Sequence, residues 1–148
     1  MMSWFFDLFS FFATGGGILA AQAMGADLAY VGSAFIATRE ANAQQAYKQA
    51  IVDCDSADIV NSNLFTGVHG NYLRPSIEAA GMDPDNLPDG DISSMNFGSG
   101  GDTDAKAWKD IWGCGQGISA VKAVLPTAEL VARLAGEYSA ARDRFLLG

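Results

Sequence analysis

Tyr30-Val31-Gly32-Ser33 is the stretch of this chain best suited to holding an anion. Gly32 lets the backbone approach a phosphate closely, and Ser33 adds a hydroxyl to the amide donors of a helix start. Gly15-Gly16-Gly17, one helix upstream, offers a second cluster of amides, with Gly15 as its candidate. Either turn also reads as plain glycine punctuation between elements. His69, the sole histidine, sits in the turn Thr66-Gly67-Val68-His69-Gly70. No carboxylate is spaced to orient it as a general base, so a surface or capping role is favoured and no catalytic residue is assigned. Cys54 and Cys114 lack a CxxC pair or a histidine-rich partner set, so no metal site is read. They are expected to be reduced, buried thiols. Lys106, Lys109 and Lys122 read as solvated helix charges. Gln116, within Gly113 to Gly117, is a weak ligand-facing candidate beside a simple helix break.

Positioning these residues requires alternating helices and strands. Gly15 to Met24 is predicted to be a helix packed on a sheet and ended by Gly25. Ala26 to Val31, apolar except for Asp27, is predicted to be a parallel strand buried on both faces, delivering Gly32 and Ser33 at its carboxyl end. Glu40 to Val52 has Ala43, Ala46, Tyr47 and Ala50 at helical spacing, with Lys48 in its later half. Asp58 to Phe65 reads as a strand entering the His69 turn, and Pro75 to Ala80 as a short helix closed by Gly81. Gly81 to Gly101 reads as a long loop. Thr103 to Ile111 is predicted helical, with Trp108 and Trp112 four residues apart. The last helix starts near Pro126 and Thr127 and runs to Phe145, with Leu130, Leu134, Tyr138 and Phe145 along one side.

A chain of 148 residues is long enough for one ordinary domain, which buries roughly two thirds of its unfolded surface. The net charge of -8 opposes nucleic acid and anionic membranes, yet a single phosphate can be held by amides without a positive field. The start, MMSWFFDLFSFFA, has no basic region, contains Asp7 and falls short of the ~20 residues of a membrane span. A cytoplasmic protein with an atypical apolar stretch over residues 1–13 is expected.

Three blocks in order carry a resemblance: GGGILAAQAMGADLAYVGSAFIATREANAQQAYKQAIVD, ADIVNSNLFTGVHGNYLRPSIEAAGMDPDNLP and KAWKDIWGCGQGISAVKAVLPTAELVARLAGEYSAA. Together they resemble the carboxyl-terminal portion of the nitronate monooxygenases, also called 2-nitropropane dioxygenases. The resemblance implies an α/β chain, the carboxyl-terminal fragment of an FMN-binding (β/α)8 barrel with a mostly helical extension. Residues 14–148 then hold the last barrel βα unit and the helical segment. It implies oxidation of alkyl nitronates with dioxygen by an FMN enzyme, with Tyr30, Val31, Gly32 and Ser33 in the late phosphate-binding turn and Gly15 in the preceding βα loop. That position agrees with the general rule for phosphate in such barrels.

The departures are as specific. Ala34 stands where the family places Arg after Gly-Thr, and His69 does not match the family's catalytic histidine, which comes from earlier barrel sequence. WFFDLFSFFAT stands where an apolar strand and glycine turn are usual. The expectation is a truncated copy with little or no activity alone; the alternative is a non-catalytic half-barrel module that associates with itself or with a separate amino-terminal half.

Overall fold

The computed structural model describes residues 12–90 and 110–147. The expectations for residues 1–11, for the loop beyond residue 90 and for the helix carrying Trp108 lie largely outside them. The described part is a mixed α/β structure in which helix packing outweighs sheet.

The first helix, α1 (Gly15–Ala23), begins at Thr14, whose side-chain oxygen accepts the Gly17 N–H at 3.1 Å. This is an N-cap of the usual hydroxyl type. It ends before Gly25, whose φ of +95° is the left-handed conformation that glycine adopts at least cost. Apart from Gln22 its residues are small or apolar, and none carries a charge, so its flank can lie against another helix. That partner is α5 (Thr127–Leu147), the long last helix, rather than the sheet expected from the sequence. Leu130 and Leu134 of α5 are buried in the main core with Ala13, Ala34, Ile51, Leu73 and Ile118. Phe145, predicted on the same side, is 83% exposed because the helix outruns the surface it covers.

Residues 26–31 do not form a strand. The described residues contain one sheet, a two-stranded one, and this segment is not in it. A parallel strand is stable when neighbours pair with both edges and cover both faces. Here Leu28 is 88% exposed and Tyr30 66%, so its apolar side chains lack the cover the sequence pattern presupposes. The segment leads into α2 (Ser33–Ile36), a single turn.

The second half is more regular. Helix α3 (Gln45–Asp53) buries Ile51 and starts five residues later than the sequence suggests. Residues 38–40 are engaged elsewhere: Thr38 bridges Leu125, the Arg39 N–H donates to the Leu125 carbonyl at 2.9 Å, and the Glu40 carboxylate accepts the backbone N–H and hydroxyl of Thr127. Lys48 is buried, with its Nζ donating to the Arg39 carbonyl at 3.1 Å. Strands β1 (Ile59–Ser62) and β2 (Gly70–Leu73) pair antiparallel, Ile59 opposite Leu73 and Ser62 opposite Gly70. The sequence predicts β1 and not β2, whose Gly-Asn start carries little strand signal. Helix α4 (Arg74–Ala79) follows with Pro75 in its first turn and is closed by Gly81 as expected.

The free edge of β2 is covered by residues 112–114. Leu73 N–H donates to the Trp112 carbonyl at 2.8 Å, and Cys114 N–H to the Asn71 carbonyl at 3.0 Å. Ser76 reinforces the junction: its hydroxyl donates to the Leu73 carbonyl and accepts the Trp112 N–H. Among the described residues no helix is long and apolar enough to cross a membrane.

Candidate functional site

Each glycine turn has internal partners. Ser33 is buried, and its Oγ accepts the Gly115 N–H at 2.8 Å. The turn beginning at Gly113 is therefore folded back onto Ser33, and Gln116 opens a short 3₁₀ helix, Gln116–Ala120. Gly32 precedes α2 with φ -103°, a conformation open to any residue, so the turn itself does not demand glycine.

Gly15 is demanding in a different way. A Cβ there would clash with the Leu134 carbonyl oxygen and the Tyr138 amide nitrogen, and would lie 2.8 Å from the Glu137 carbonyl carbon. The glycine permits backbone contact between α1 and α5. Its N–H donates to Glu137 Oε2 at 2.8 Å. Glu137 Oε1 lies 3.5 Å from Arg133 Nε, and Arg133 Nη2 donates to the Ala13 carbonyl at 3.2 Å. The chain's own carboxylate thus meets the positive end of α1. Sequence reasoning missed Glu137. The i,i+4 spacing from Arg133 was visible, but the bond to a residue 122 positions away was not.

Beside residues 29–31 lies an open recess of about 500 Å³, walled by Ile18, Val31, Phe35, Val131, Leu134 and Tyr138 among others. Among the described residues no cationic side chain lines it. A smaller recess of about 280 Å³ lies at the amino end of α1, with Thr14, Gly16, Glu137, Ala140 and Arg144 around it.

His69 is exposed, its Nδ1 2.8 Å from Asn61 Oδ1 across the hairpin. Asn61 in turn donates to Asn71 at 2.9 Å. This agrees with a surface role.

A second feature absent from the sequence reading is the Tyr47–Trp112 stack, with ring centroids 5.3 Å apart and planes at 13°. The Tyr47 hydroxyl donates to the Gly113 carbonyl. Burial pushes the Tyr47 phenol up to about 12 and the Cys114 thiol beside it also to about 12. Burial raises the Cys54 thiol as well, helped by nearby aspartates. Cys54 and Cys114 are unpaired in disulfides and protonated at neutral pH, hence weak nucleophiles. No cluster of metal-ligating side chains occurs among the described residues.

Solved structures share the fold. The chain is similar to FabK from Thermotoga maritima, with a TM-score of 0.66 and 19% identity, over 92% of this chain and 44% of that one. It is also similar to the nitroalkane oxidase from Streptomyces ansochromogenes, with a TM-score of 0.67 and 27% identity, over 91% of this chain and 39% of that one. These neighbours are TIM barrels, and the FabK likeness speaks to fold alone.

The chain belongs to the nitronate monooxygenase family, whose family model matches residues 12–137. It is 25% identical over 103 residues to a probable nitronate monooxygenase of Staphylococcus haemolyticus, covering 66% of this chain and 29% of the relative. The chain spans less than half the length of each of these relatives.

Proposed function

We propose that this chain corresponds to the carboxyl-terminal part of a cytoplasmic, FMN-dependent nitronate monooxygenase of the barrel type. The complete enzyme's substrates are an alkyl nitronate and dioxygen. The 148 residues on their own do not oxidise nitronates. The observation that carries this reading is the family match over residues 12–137 in a chain spanning 29% of its curated relative and 39% of its nitroalkane oxidase neighbour.

FMN does not fit the described residues as they stand. The Gly115 N–H is taken up by the Ser33 Oγ and the Gly15 amide by Glu137, and among the described residues the recess beside Tyr30 and Val31 has no cation to balance a phosphate. A flavin phosphate site at Tyr30, Val31, Gly32, Ser33 and Gly15 requires the neighbouring strands of a complete barrel. No step of flavin chemistry is assigned to this chain alone. The test is oxygen consumption by the purified chain with excess FMN and an alkyl nitronate. The expected rate equals that of free FMN, and nitronate-dependent turnover above it overturns the reading.

A second reading, association with a copy of itself or with a separate amino-terminal half, is supported by the exposed Met24, Leu28, Tyr30 and Val131. Apolar side chains clustered at a surface favour interfaces. Sedimentation equilibrium alone and with a co-expressed amino-terminal half tests it; a monomer that ignores the added half argues against it.

A further inference from the structure

The amino end of α1 carries its own anion. We infer that Glu137, held by Arg133, occupies the place a phosphate would take on the Gly15 amide, so that this end of the helix is closed to external anions. The inference rests on the family reading above, which makes a flavin phosphate the expected anion.

The geometry has three parts. Glu137 Oε2 lies 2.8 Å from the Gly15 nitrogen, the length of a charge-assisted hydrogen bond. Arg133 engages both sides of the Thr14 cap, contacting the Ala13 carbonyl directly and Glu137 at 3.5 Å. Gly15 itself is pressed onto the α5 backbone, leaving no approach from that side.

The Gly17 N–H is already taken up by the Thr14 Oγ1, which removes a second first-turn amide from an external anion. Among the described residues, the ionisable groups beside Glu137 are Arg133 and Arg144 from α5, and α1 contributes none. An external phosphate must therefore displace a tethered carboxylate whose effective concentration is high, and the displaced carboxylate then repels it. The α1–α5 pair is closed on itself without a cofactor.

The test is the Gly15 amide resonance of the full 148-residue chain, recorded with nitronate turnover in the same preparation. In the wild type it is expected to stay fixed when inorganic phosphate or FMN is added. In E137A it is expected to move upfield, and in E137Q, which keeps an acceptor oxygen, to move by a smaller amount. A saturable shift of the wild-type Gly15 amide with phosphate overturns the inference, as does a Gly15 amide that E137A leaves unmoved. The wild-type phosphate series decides the matter even where a variant fails to fold. Turnover with an unmoved Gly15 amide would overturn the proposed inactivity and leave this inference standing.

Discussion

Replacing Gly15 with alanine separates two roles for a glycine at a helix start. If Gly15 serves helix packing, an added methyl must push α5 away, because its nearest neighbours are backbone atoms of Leu134, Glu137 and Tyr138 that cannot rotate aside. Overpacking of this kind costs about 1–3 kcal/mol. Displacing α5 also lengthens the Gly15–Glu137 hydrogen bond, worth about 1–2 kcal/mol for a half-exposed charged acceptor. The expected loss is roughly 2–5 kcal/mol, a large share of the 5–15 kcal/mol typical of a folded domain. Gly16 is the internal control. A Cβ there meets the Ala141 methyl at 3.8 Å, an ordinary contact, so G16A should gain about 0.5–1 kcal/mol from the lower entropy of its unfolded chain. Urea denaturation of the two variants should therefore place G15A roughly 2.5–6 kcal/mol below G16A. Equal stabilities would refute the packing role of Gly15 and the closed α1–α5 pair with it.

Other perturbations test other contacts. S33A leaves the buried Gly115 N–H without its acceptor and should cost about 1–3 kcal/mol in chemical denaturation, whereas a loss confined to FMN binding would restore Ser33 to a purely ligand-facing role. Cys114, raised from 9.0 to about 12, should alkylate near pH 8 roughly a thousandfold more slowly in the native chain than after unfolding, as followed by mass spectrometry. Tyr47 binds its phenolic proton more tightly when folded than at its ordinary 10.0, so its contribution is intact below pH 10 and lost between 10 and about 12. Y47F should flatten that alkaline fall in melting temperature. On the acid side Glu40 is held below its usual range by Thr127, and Asp85 by Arg74. Their contributions are present above roughly pH 4–4.5 and disappear as pH falls further, a decline that E40Q should reduce.

How far the sequence could be read depended on whether a residue's partner lay nearby. Helix α1 was legible because Thr14 and Gly25 cap it locally, and α5 because Thr127 and Glu129 open it. The start of α3 was misplaced because Thr38, Arg39 and Glu40 serve contacts with Leu125 and Thr127 far along the chain. The apolar run 26–31 has the composition of a strand, but a strand also needs partners beside it, and composition does not reveal whether they are present. At the candidate site, the glycines were visible while the groups that engage their turns, Glu137 and Gly115, were not. The family could nevertheless be recognised, because three blocks in fixed order need no knowledge of contacts.

On the proposed reading, this chain carries nitronate monooxygenase sequence without, by itself, forming a flavin site. Titration of FMN into the purified chain, followed by flavin fluorescence and absorbance, tests it most directly. The spectrum of free flavin is expected throughout. Stoichiometric binding with a perturbed flavin spectrum would contradict it.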